Sequence, residues 1–170
     1  MSDITPQEVS MHFTKSVLVA ALFVCLGLSA FGQCVHIGGG IITNVGVISP
    51  DRTLGIATGD LKGAVGVQIL NLPGSPGPNG TTVFEVKHFW VTEAGDTINL
   101  HQAQLTAVEL KDFGTPGLFA VVTYPVSIIP GGTGKFKNAT GKINVIGEAD
   151  FNTGQIGLRY TGQVCFATSE

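Results

Sequence analysis

The sequence predicts an all-β domain of seven or eight antiparallel strands joined by short turns. Three observations carry that prediction. Apolar and polar residues alternate over long stretches, which sets one face of each segment in a core and the other in water. Glycine accounts for 24 of 170 residues, and Val, Ile and Thr are plentiful while charged residues make up only 12%; that balance suits sheets with many tight turns and neither a helical nor a disordered chain. No helical periodicity and no internal repeat occurs after residue 32. A chain of this length is expected to form one domain with a sizeable core.

Residues 1–15 are polar, residues 16–31 form an apolar run, and Ala30-Phe31-Gly32 places small residues at the −3 and −1 positions of a cleavage site. This predicts a signal peptide over residues 1–32, with an N-terminal extension, and a mature domain over residues 33–170. The extension is long for such a leader, so Met11 stands beside Met1 as an alternative start. The apolar run falls short of the ~20 residues of a membrane span. The mature chain is therefore expected to be secreted or periplasmic, with no stable membrane insertion. Cleavage removes Cys25 and leaves Cys34 and Cys165. An even count in an exported chain favours a disulfide between them; the alternative is two unpaired thiols.

Residues 34–37 read as a short lead-in, broken by Gly38-Gly39-Gly40, and residues 41–48 as a first strand. Pro50-Asp51 begins a turn. Residues 52–60 and 62–70 pattern as two strands, with Gly55, Gly59, Gly63 and Gly66 marking bulges or bends. Residues 71–80 are so rich in Pro and Gly that they predict an exposed loop. Residues 81–92 and 97–110 form a long hairpin about residues 93–96; with Ala94-Gly95 at the tip, Trp90 faces Asn99, His88 faces His101, Val86 faces Ala103 and Phe84 faces Leu105. After a loop at 111–117, residues 118–129 form a strand interrupted by Pro125. The loop at 131–141 leads into a last hairpin turning at Thr153-Gly154. That register sets Phe151 against Ile156, Ala149 against Leu158 and Glu148 against Arg159. Sequential hairpins either close into a barrel or fold as a sandwich. Closure disposes of exposed edges, and eight strands enclose room for side chains or one small ligand.

The net charge of −3 with no basic stripe excludes a nucleic-acid binder. The glycine-rich loop is not a phosphate cradle: Lys135 is followed by Phe136, Ile129 stands where the first glycine belongs, and a strand follows where a helix is needed. Phe84, His88, Trp90, Asn99 and His101 share one predicted face and are the candidate ligand-binding residues of the interior. Two facing imidazoles suit a shared proton or a metal, but zinc takes three or four ligands, so neither metal nor cofactor is expected. Glu148 and Asp150 fall on the wet face, and no catalytic residue is assigned. On the opposite face of the long hairpin, Phe89, Val91, Ile98 and Leu100 mark a subunit interface, lie under a loop or, with the faces inverted, form the interior itself.

Residues 131–141 read Gly-Gly-Thr-Gly-Lys-Phe-Lys-Asn-Ala-Thr-Gly. This stretch resembles the GGTG-x-F-x-x-A-x-G signature shared by plant allene oxide cyclases and dirigent proteins. It is similar also to small exported bacterial proteins with an allene-oxide-cyclase-barrel-like domain, the resemblance covering roughly residues 40–167. It implies an eight-stranded, calycin-type antiparallel β-barrel, often trimeric, in which Gly131, Gly132, Gly134, Phe136 and Gly141 are a structural turn. Cyclases use a buried carboxylate and an ordered water over a fatty-acid epoxide, and dirigent proteins steer the coupling of phenoxy radicals. Neither family's catalytic residues match this chain one by one, so none is carried over. The expectation is a secreted barrel that binds a small hydrophobic molecule without catalysis. The alternatives are a cyclase or isomerase acting on an oxidised fatty acid or similar epoxide, and an exported structural protein with a packed interior.

Overall fold

The computed structural model describes residues 32–167. The expected leader, apart from Gly32, and the choice between Met1 and Met11 lie outside those residues. Ten strands form one antiparallel sheet: β1 (Gln33–Val45), β2 (Thr53–Ala57), β3 (Gly63–Ile69), β4 (Ser75–Pro76), β5 (Thr82–Thr92), β6 (Ala103–Glu109), β7 (Leu118–Thr123), β8 (Pro125–Ile128), β9 (Thr140–Asp150) and β10 (Gln155–Phe166). Pairing runs β10-β1-β2-β3-β5-β6-β7-β9, and β9 pairs back to β10, so the sheet is ring-like.

The count of ten differs from the eight expected, for two local reasons. β4 is a two-residue pairing of the Pro-rich loop with β5. β7 and β8 run along successive stretches of the same edge of β9 but are separated at Tyr124. Pro125 offers no N–H there, and the ladder is carried across the break by the Val145 N–H donating to the Tyr124 carbonyl.

β1 is one continuous strand, not a lead-in followed by a break at the three glycines. The glycines answer a packing demand. Gly39 lies opposite Tyr160 in the β1–β10 ladder, and a Cβ there would fall 2.7 Å from the Tyr160 ring and against the Thr58 carbonyl. The ring takes the space the missing side chain leaves. Cys34 and Cys165 are direct partners in the same ladder and form a disulfide.

The last hairpin is shifted by two residues from the predicted register: Gln155 pairs with Asp150, Ile156 with Ala149 and Gly157 with Glu148. Glu148 is therefore not opposite Arg159, whose partner is Ile146. The cause is Asp150. Its carboxylate accepts the Asn152 N–H at 2.8 Å and the Thr153 hydroxyl at 2.9 Å, which closes a longer turn over residues 151–154. Because side chains alternate with a period of two, the shift leaves every residue on its predicted face. The interior of the ring holds the main core, including Val86, Trp90, Ile143, Tyr160 and Val164.

Candidate functional site

Strand β5 alternates strictly. Phe84, Val86, His88 and Trp90 face the interior, while Lys87, Phe89 and Val91 are exposed. These inward residues line one side of an internal cavity of about 90 Å³, to which every strand of the ring contributes. Its wall is almost wholly apolar. Along the strands the cavity lies between two aromatic groups. At one end Phe84, Phe119 and Phe151 form a cluster, with ring centroids 5.4 to 5.9 Å apart. At the other, Trp90 meets Tyr160 edge to face at 5.4 Å. Both of these side chains hold the 3-10 turn Gly59–Leu61. Trp90 Nε1 donates to the Leu61 carbonyl at 2.8 Å; the Tyr160 hydroxyl accepts the Leu61 N–H at 2.9 Å and donates to the Thr58 carbonyl at 2.8 Å. The turn thereby carries the buried Leu61 side chain into the core at that end.

The polar side chains of the wall are Thr43, Thr53 and a hydrogen-bonded pair, His88 and Tyr124. His88 Nε2 and the Tyr124 hydroxyl share a hydrogen bond at 2.7 Å, and the two rings stack with centroids 5.7 Å apart. Burial pushes the His88 pKa down to about 4, and a contact with the His101 main chain offsets only part of that shift. This contact does not give Nδ1 a hydrogen bond, so that atom is buried without a partner. Burial also raises the Tyr124 hydroxyl well above the ordinary tyrosine range. Both groups are thus neutral around pH 7.

Of the candidate residues, Phe84, His88 and Trp90 line the cavity, whereas Asn99 and His101 do not. The long hairpin changes register between its tip and its base. Near the tip Val91 bridges Thr97, and the Ile98 N–H donates to the Trp90 carbonyl. At the base Val86 pairs with Ala103 and Phe84 with Leu105, as predicted. The return strand therefore carries one extra residue, accommodated at the exposed pair His101-Gln102. An odd insertion exchanges the faces. Ile98 and Leu100 turn inward instead of joining Phe89 and Val91 on the surface, and Asn99 and His101 turn outward. Asn99 Nδ2 donates to the Pro130 carbonyl at 2.7 Å, and His101 Nδ1 bonds the Gln102 carbonyl at 2.7 Å. Sequence reasoning missed Tyr124, although the apolar phase changes between Val121 and Val126 and so signals a break there.

The glycine-rich loop packs beside Asn99. Gly131 and Gly134 take φ of 112° and 50°. At Gly132 a Cβ would strike the Thr97 carbonyl, and at Gly141 the Gln163 carbonyl. Phe136 is buried, with its ring 5.5 Å from that of Phe166. Lys135 Nζ stands 5.2 Å from the Phe136 centroid. Glu148, Asp150 and Glu109 lie outside the cavity wall. No three His, Cys, Asp or Glu side chains come together as a metal site among the described residues.

No family model matches the chain, and no curated protein matches it. Among solved structures, a pterocarpan synthase dirigent protein aligns over 82% of this chain and 99% of its own, at 14% identity and a TM-score of 0.34. A likeness that loose says nothing of what the cavity holds.

Proposed function

We propose that the chain is an exported binding protein whose ring is an eight-stranded barrel of the allene oxide cyclase and dirigent type, holding one small hydrophobic molecule in its interior without catalysis or cofactor. The observation that carries this reading is the largely apolar cavity, walled by every strand of the ring, whose polar side chains are Thr43, Thr53 and one hydrogen-bonded His–Tyr pair. Export over residues 1–32 accords with the Cys34–Cys165 bridge, since disulfides persist in oxidising compartments. Assembly into a homo-oligomer, a trimer on the resemblance of residues 131–141, is part of the same proposal. Ile42 and Ile56, paired on the outer face and 65% and 57% exposed, offer it an apolar surface.

Size decides between ligand classes. A cavity of about 150 Å³ admits benzene, and one water takes about 30 Å³ of the liquid. The 90 Å³ present here suits a compact body of a few heavy atoms and not a long acyl chain. This counts against a cyclase acting on a fatty-acid epoxide, as does the absence of a carboxylate from the cavity wall. Trp90 is the single tryptophan and lines the cavity, so its fluorescence is the direct readout. Titration with small hydrocarbons and halocarbons is expected to give a saturable change, and native mass spectrometry of protein purified from its host a co-purifying mass. Silence in both would leave the packed structural protein as the better reading.

A further inference from the structure

A second concavity, of about 240 Å³, lies on the outer face of β2, β3 and β5, lined by Ile48, Leu54, Ala64, Phe89 and Val91 among others. It shares Thr53, Val65, Gly66, Val67 and Phe89 with the internal cavity. Thr53 and Val65 are buried side chains of the inner face, whereas Phe89 belongs to the outer one. The two spaces thus approach each other through the sheet at the β2–β3 seam.

The ladder is interrupted at that point. β2 and β3 pair at Gly55 and Val65, and a bridge joins Arg52 to Gln68. Between them the Val67 N–H donates to the Thr53 hydroxyl at 3.0 Å, so a side chain stands in for a ladder bond. Gly66, the residue at the crossing, has no side chain, and the Thr53 carbonyl of β2 lies where its Cβ would stand; its neighbour across the β3–β5 ladder is the half-exposed Phe89. The ends of the ring are better closed, by the Phe84–Phe119–Phe151 cluster and by Trp90 with Tyr160.

We infer that the outer groove is the vestibule of the internal site, and that an apolar ligand passes between β2 and β3 at Gly66 beneath Phe89 rather than through either end of the ring. The inference rests on the binding reading above and adds the route. Separating β2 from β3 locally breaks the Val67–Thr53 hydrogen bond, lifts the Thr53 backbone away from Gly66 and moves one surface aromatic. Entry at an end displaces buried aromatic rings that pack on one another.

Xenon is a suitable probe, since dry apolar cavities take it up, and saturation-transfer xenon NMR reads both occupancy and exchange rate. Leu54→Trp, at an exposed residue lining only the outer groove, is expected to slow exchange roughly fivefold or more while leaving affinity within about twofold, because the seat of binding is untouched. Phe89→Ala is expected to speed exchange. Unchanged exchange in both variants, with acceleration confined to Phe151→Ala, would place the opening at the ring end and overturn the route while leaving the binding reading intact. No bound xenon in the parent protein would overturn the binding reading, and the route with it.

Discussion

Tyr160 lies across the bare backbone of Gly39: the two are ladder partners, and the tyrosine hydroxyl is 2.6 Å from where a Gly39 Cβ would stand. From that position the hydroxyl reaches both the Thr58 carbonyl and the Leu61 N–H and fixes one end of the cavity.

Gly39→Ala should therefore displace the tyrosine and lower stability by about 2–4 kcal/mol, through overpacking and the loss of a buried hydrogen-bond pair. Gly38→Ala serves as the control. A Cβ there meets nothing closer than 3.5 Å, and its backbone is not left-handed. That change should be neutral or stabilising by a few tenths to ~1 kcal/mol, because the unfolded chain loses freedom. Tyr160→Phe should cost about 1–3 kcal/mol by leaving the Leu61 N–H unpaired. Chemical denaturation of the three variants checks the order; equal effects at Gly38 and Gly39 would refute this role for the tyrosine.

Stability is expected to fall on mild acidification because of His88. Its pKa is about 4 when folded and 6.5 when free. Below pH 6.5 the unfolded chain takes up a proton that the folded chain refuses, so the stabilisation is whole above 6.5 and lost progressively towards pH 4. At 1.36 kcal/mol per unit, the loss reaches roughly 3 kcal/mol. Asp51 and Asp150 titrate below their ordinary 3.8, held down chiefly by hydrogen bonds from Ser49 and Thr153 respectively, so their contributions are lost only in stronger acid. His88→Gln keeps a polar partner for Tyr124 and cannot titrate. Melting temperatures from pH 7 to pH 4.5 should fall for the parent protein and stay level for this variant. Parallel curves would rule out His88 as the source.

Most of the strand faces were legible because alternation with one dry side is a strong constraint, and it survived even the two-residue error in the last hairpin. That error came from a single side chain: nothing in the alternation reveals that Asp150 caps the turn. The inward assignment of His101 and Asn99 failed for a different reason. Ile98 and Leu100 occupy even positions and Ala103, Leu105 and Ala107 odd ones, so the apolar phase itself records the inserted residue. Reading the hairpin as one unbroken register overrode that signal. The glycines of β1 misled because a strand break and a seat for an aromatic ring look alike until the partner strand is known.

The Cys34–Cys165 bridge closes the ring across a sequence separation of 131 residues. Loop-entropy arguments give such a closure about 4–5 kcal/mol. Reduction, or the paired Cys34→Ser and Cys165→Ser variant, should lower the denaturation midpoint by a corresponding amount while preserving the fold. β1 and β10 remain joined along the rest of their length, from Val35–Val164 to Asn44–Gln155. A reduced protein with an unchanged midpoint would mean that the bridge adds little to a ladder already secure.

Ile42 and Ile56 are cross-strand partners on the outer face, and their neighbours along the same row are Gly157 and Ala64, so no charged side chain stands between them. An exposed apolar strip of that kind is a candidate contact between copies. The parent protein is accordingly expected to sediment as an oligomer. Ile56→Lys should shift it to monomer, because the ammonium would have to be desolvated within the contact. The same substitution on a free surface changes stability by no more than about 0.5 kcal/mol. Light scattering coupled to gel filtration, read together with the melting temperature, separates the two cases. A monomeric parent protein at tens of micromolar would remove the oligomer, and an oligomer that persists in Ile56→Lys would move the contact to another face.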